Sequence, residues 1–224
     1  MKSNNSGCRP RCGAFARSAF LIALCLLAGC SSLLPVPPAA DNIYLLEAGA
    51  IPKPSTLAAD NVGSVAPKRE GVLAVSMPHA RAGFDTAQMI WVQQAHGLKV
   101  YARNRWADTP ARMLLPLIAQ TLEHAAAFQA VVQAPSAVPA TLRLDTELIR
   151  LQQDFSVQPS RVQLTLGVQL IDVGTRRVIA SAEFDETENA VTEDAYGGVR
   201  AANLALERLL ARLADFCIEH AASP

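Results

Sequence analysis

Cysteine is scarce in this 224-residue chain, and where its five cysteines fall excludes more chemistry than their number does. Cys8, Cys12, Cys25 and Cys30 crowd the first 30 residues, so Cys217 stands alone in the remainder and no internal disulfide can form downstream of Cys30. Histidine is scarcer still. His79, His96, His124 and His220 lie far apart, and none sits in an H-x-x-x-H or C-x-x-C spacing, so no metal site is expected. A G-x-S-x-G elbow, a G-x-x-x-x-G-K-[ST] loop and a G-x-G-x-x-G turn are all missing. The expectation is a protein without catalytic residues or a cofactor. Basic clusters are missing as well. Lys68-Arg69 and Arg176-Arg177 are the only adjacent basic pairs, which leaves no phosphate-tracking stripe for nucleic acid.

Long apolar runs are also absent. The longest near the N-terminus, Ala19 to Ala28, is about half of the roughly twenty residues a membrane-spanning helix needs. Lys2, Arg9, Arg11 and Arg17 precede it with no acidic residue, which is the layout of a secretory signal. Leu27-Ala28-Gly29-Cys30 then resembles a lipobox, in which cleavage before Cys30 leaves a new N-terminal cysteine that carries acyl chains. In Gram-negative lipoproteins an aspartate after that cysteine favours inner-membrane retention, so Ser31 implies sorting to the outer membrane, with the domain in the periplasm. Residues 1–29 hold four of the 20 Lys+Arg and none of the 20 Asp+Glu, so the mature chain of 195 residues keeps 16 basic against 20 acidic residues.

What remains reads as one α+β domain. Residues 30–41 form a proline-rich acylated tether, 42–220 the domain, and 221–224 a tail. Asn42 to Glu47 reads as a short strand. Residues 48–70 read as a long loop, broken by Gly49, Pro52, Pro54, Gly63 and Pro67. Val72 to Val75 is a short apolar strand ended by Pro78. Met89 to Gln93 and Leu98 to Arg103 flank Ala95-His96-Gly97 as a hairpin. Asp108-Thr109-Pro110 opens a helix, with a side-chain oxygen of Asp108 or Thr109 available to the first-turn amides. This helix carries Met113, Leu114, Leu117, Ile118, Leu122 and Ala125 at helical spacing, is expected to kink at Pro116, and ends near Phe128.

The second half alternates more cleanly. Val162, Leu164, Leu166, Val168 and Leu170 face one way, and Val178, Ala180, Ala182 and Phe184 repeat the pattern after a turn at Asp172 to Thr175. Between Thr141 and Phe155 the apolar phase changes at Leu148-Ile149, which predicts a bulge. A last helix from about Asp194 to His220 places Val199, Ala202, Leu206, Leu209, Leu210, Leu213 and Cys217 on one stripe, so the thiol reads as buried and inert. Gly197-Gly198 reads as a close packing point. The run Glu183, Asp185, Glu186 and Glu188 reads as a solvated strand end. The architecture expected is a largely antiparallel sheet with two main helices packed on one face.

Pro78 to Met89, containing Arg81, Gly83, Phe84 and Asp85, is followed after the hairpin by Tyr101 to Pro110, containing Trp106 and Asp108. The order of these stretches resembles the ABC-type transport auxiliary lipoprotein family. Its pattern is a G-[YF]-D-x-x-x-M stretch, a strand pair, and a tryptophan–acid–proline step into a helix. The resemblance runs from Tyr44 to about Phe216. The chain departs from the stricter Arg-Pro-x-Tyr-x-Asp-Arg-Pro form at Gly83 to Ala87. The resemblance implies an accessory role beside transporters with mammalian-cell-entry (MCE) domains, which move lipids or other hydrophobic molecules between inner and outer membranes. A homo-oligomer is compatible with it. An assembly or scaffold lipoprotein that binds proteins and never meets lipid cargo is the alternative reading. Gly83, Phe84, Asp85, Met89, Trp106, Asp108 and Pro110 read as fold-setting. Asp85 is expected to accept the amides of Ala87 or Gln88, and Trp106 to cover the first turn of the helix. Arg81, Gln94 and His96 are the residues placed to meet a partner.

Overall fold

The computed structural model describes residues 40–49 and 69–221. Nine strands form one sheet: β1 (Asn42–Tyr44), β2 (Arg69–Val75), β3 (His79–Ala80), β4 (Gln88–Val92), β5 (Leu98–Trp106), β6 (Phe128–Gln133), β7 (Leu142–Asp154), β8 (Arg161–Asp172) and β9 (Arg177–Asn189). Two helices, α1 (Pro110–His124) and α2 (Ala195–His220), pack on one of its faces. No helix among the described residues is long and apolar enough to cross a membrane.

β7 is the spine. One edge pairs antiparallel with β8 along its whole length, and β8 pairs antiparallel with β9. The other edge is shared by three short strands that run parallel to it in succession. Leu73 faces Leu142, His79 faces Glu147 and Trp91 faces Gln153. β6 extends the sheet beside β2, and β5 and β1 extend it beside β4. Most of the paired length is antiparallel, and the expected α+β class with helices on one face holds.

The bulge falls where the apolar phase shifts. Leu148 pairs with Leu166 and Arg150 with Thr165, so Ile149 is the extra residue. It lets Leu144 and Leu148 before the bulge, and Leu151 after it, all point into the core.

α2 buries Val199, Ala202, Leu206, Leu209, Leu210, Leu213 and Cys217 against β8 and β9, as its period predicts. Asp194 is its N-cap and accepts the Gly197 amide at 2.7 Å. A Cβ on Gly197 would run into the Thr192 carbonyl, and one on Gly198 into the Gln153 side chain, so both glycines are close-packing points.

Two expectations need correction. α1 starts at Pro110 with Thr109 as N-cap, but neither Thr109 nor Asp108 caps a first-turn amide; Asp108 accepts the Thr109 amide at 2.7 Å. α1 continues through Pro116, whose missing amide leaves the Arg112 carbonyl without its helical donor. It also stops at His124, not near Phe128. Ala126 takes the left-handed conformation (φ 52°) in which a glycine usually closes a helix, and Phe128 already begins β6.

Candidate interaction surface

With both helices on one side, the other face of β7, β8 and β9 is left without a helix over it. Alternation fills that face with polar groups. Glu147, Arg150 and Gln152 come from β7, Gln163, Thr165 and Gln169 from β8, and Glu183 and Asp185 from β9. Two open grooves, of about 540 and 550 Å³, cross it and share Ile149 and Glu183. Ile149 reaches this face because it is the bulged residue, and its Cδ1 would lie 3.3 Å from a Cβ on Gly167. The glycine keeps the floor low at that point.

The charges across the face are paired. Arg81 lies 3.0 Å from Glu147, Arg143 2.9 Å from Asp145, and Arg150 3.0 Å from Asp185, which also accepts from Thr165. Arg161 meets Asp154 at 3.3 Å. Exposed pairs like the first three are screened by solvent, so they order the surface more than they hold the fold. Burial works against the Asp154 carboxylate, but hydrogen bonds from Ser156 and Arg161 outweigh it and hold the group below the usual carboxylate range. Glu183 lines both grooves and makes no ion pair among the described residues.

All three residues placed to meet a partner reach this face. Arg81 lines one groove, and Gln94 and His96 line the other. His96 sits at the hairpin tip with φ 65°, and the Gly97 amide donates to the Gln94 carbonyl at 3.3 Å.

The Pro78–Pro110 stretches divide in two. Arg81 to Phe84 is a turn closed by the Phe84 amide on the Arg81 carbonyl at 2.9 Å, with Gly83 at φ 95° and Leu98 close above it. Phe84 is half-buried beside the groove. Met89 and Trp106 are each 4% exposed and belong to the core, and the Trp106 amide donates to the Ala87 carbonyl at 2.8 Å. Pro110 is buried at the start of α1. Asp108 is exposed and lies 3.7 Å from Arg112. Asp85 is exposed, and the Gln88 amide goes instead to Thr86 Oγ1 at 3.2 Å, which corrects the role expected of Asp85. Cys30 and Ser31 lie outside the described residues.

The acidic run is not merely solvated. Alternation splits it: Asp185 turns to the open face, while Glu186 and Glu188 turn to α2 and bind Arg208 and Arg212 at 2.6–3.1 Å. The signal was the i, i+4 spacing of Arg208 and Arg212 opposite i, i+2 acids, which sequence reasoning passed over. Among the described residues no group of three or more histidine, cysteine or acidic side chains is placed to hold a metal.

A family model for the ABC-type transport auxiliary lipoprotein component matches residues 56–214. The chain belongs to this family. Among solved structures, protein XCC0632 from Xanthomonas campestris superposes with a TM-score of 0.69 at 19% identity, covering 80% of this chain and 96% of that one. An uncharacterized protein superposes at 0.60 with 11% identity, covering 79% and 98%. The hypothetical protein CT253 from Chlamydia trachomatis superposes at 0.50 with 10% identity, covering 70% and 100%. These likenesses establish a shared fold. No curated protein matches the sequence. Family membership makes the chain an auxiliary lipoprotein of ABC-type transport.

Proposed function

We propose that the chain is a periplasmic accessory of an MCE-type ABC transport system, anchored to the outer membrane through acyl chains on Cys30. The helix-free face of β7–β9, with Arg81, Gln94, His96 and Glu183 around its two grooves, binds the MCE-domain protein. The observation that carries this reading is the face itself: open grooves bordered by exposed charges suit a partner surface of complementary charge better than an enclosed small substrate. The role is binding and not catalysis: His79 and Ser181 line one groove, but no hydroxyl on that face hydrogen-bonds a histidine among the described residues. The cavity beside Trp106 is about 10 Å³ and cannot admit an acyl chain.

The test is capture of the MCE-domain protein from detergent-solubilised envelopes. Gln94→Arg and His96→Glu should leave the melting temperature within the range of about 0.5 kcal/mol that exposed substitutions cause. Both should weaken capture, and Arg81→Glu, which also turns the Glu147 pair repulsive, should weaken it most. Wild-type capture by all three variants would move the partner to another surface. Failure of the wild-type chain to capture any MCE protein would favour the scaffold reading.

A further inference from the structure

The chain is poor in aromatics, at 5% of residues, yet three of them gather at one edge of the sheet away from the open face. Trp91 on β4 stands 6.2 Å from Tyr101 on β5 and 5.8 Å from Phe155, just past the end of β7. All three rings are partly buried, and the Tyr101 hydroxyl donates to Gln153 Oε1 at 2.8 Å; Val157, two residues past Phe155, is 37% exposed, and Lys99 Nζ lies 4.7 Å above the Trp91 ring. Arg103 is exposed farther along β5. The core already takes Trp106, Phe128, Phe184 and Phe216, so this second group is not needed to fill it. A partly exposed indole beside exposed cations is a composition that settles at the boundary between lipid headgroups and acyl chains.

Chain direction points the same way. β1 runs parallel to β5, and β5 leads away from the hairpin tip, so the backbone enters β1 from the tip side. Asn42 lies opposite Asn104, about 20 Å along the strand from Leu98 at the start of β5. Nine residues separate Cys30 from Ala40, and their full extension reaches at most about 35 Å. That reach exceeds the distance from Asn42 to the hairpin tip, so a bilayer holding an acylated Cys30 is able to touch the hairpin edge.

We infer that Trp91, Lys99, Tyr101, Phe155 and Val157 form a lipid-contacting edge that rests on the anionic headgroups of the membrane holding Cys30. This rests on the anchoring reading above. The edge orients the domain: with the hairpin flank on the lipid, the grooved face stands to the side, where a partner crossing the periplasm can reach it. The contact adds apolar and electrostatic attraction to that of the acyl chains.

The test uses the full acylated protein in vesicles of phosphatidylethanolamine and phosphatidylglycerol, floated on a density gradient. The chain has two tryptophans, and Trp106 is buried, so it serves as an internal reference. Brominated phospholipid should quench part of the emission, and Trp91→Phe should abolish that quenching. Val157→Glu and Lys99→Glu should reduce it while the protein still floats. Protein that floats with no lipid quenching overturns the inference, leaves the anchor intact, and returns the aromatic edge to a protein partner. Protein that does not float overturns the anchoring reading, and this inference with it.

Discussion

Cys217 shows how much a single burial decides. It is fully buried on the inner stripe of α2, and burial pushes its thiol up to about 12. The thiolate is the reacting species, so at pH 8 the native protein holds almost none, and a reagent must also wait for the helix to open. A chromogenic disulfide should label native protein orders of magnitude more slowly than protein in denaturant; equal rates would place the thiol at the surface. Ile149 makes the opposite point. It is an aliphatic residue that the bulge turns out of the core and onto the floor of both grooves. The phase shift was readable, but not that it turns Ile149 outward, away from Leu151, into grooves that depend on Glu183 and Gly167 on other strands.

At the scale of elements, the entry of α2 is the tightest joint described. Replacing a helical glycine by alanine ordinarily gains about 1 kcal/mol of helix propensity. At Gly197 the new Cβ would meet the Thr192 carbonyl, a backbone atom that cannot swing aside, and forcing extra volume into a packed site costs about 1–3 kcal/mol. Gly197→Ala should therefore lower the melting temperature, and thermal unfolding checks the sign. The elements that could be read ahead were those whose cause is local. Both hairpins carry their turns with them, α2 carries an unbroken apolar stripe, and β7 carries its own phase shift. β6 was hidden because its burial does not alternate and because Ala126 closes α1 without the glycine that usually marks such an end. β3 is two residues long. The parallel pairings of β2, β3 and β4 with β7 join segments more than 50 residues apart, and no turn in the sequence records them. The grooved face was legible only as single residues: Arg81, Gln94 and His96 were picked out as exposed, but their convergence on one face follows from that parallel edge.

For the molecule as a whole, acid is the informative perturbant. Asp154 is held low against its burial by Ser156 and Arg161, Asp172 chiefly by the Thr175 amide and hydroxyl, and Asp194 chiefly by the Gly197 amide. A carboxyl depressed in the folded state contributes stability that is present above its unfolded value, near 3.9 for aspartate, and is lost as pH falls through the folded one. The melting temperature should thus hold through neutral pH and fall below about pH 4. Asp154→Asn should flatten part of that fall, and an unchanged acid limb in this variant would remove Asp154 from the account.

The parallel pairing of β1 with β5 has a mechanical consequence. A chain drawn from its N-terminal end while its grooved face is held by another protein transmits tension along the axis of β1. The pairs of Asn42, Ile43 and Tyr44 with Asn104, Arg105 and Trp106 are then loaded together in shear, and not opened one at a time as in peeling. Arg105 grips Asp41 at 3.6 Å at the entry, and Leu46 is locked in the core beyond it. Three residue pairs laid along the line of pull would share such a load, which a hairpin entered from the other end would take one pair at a time.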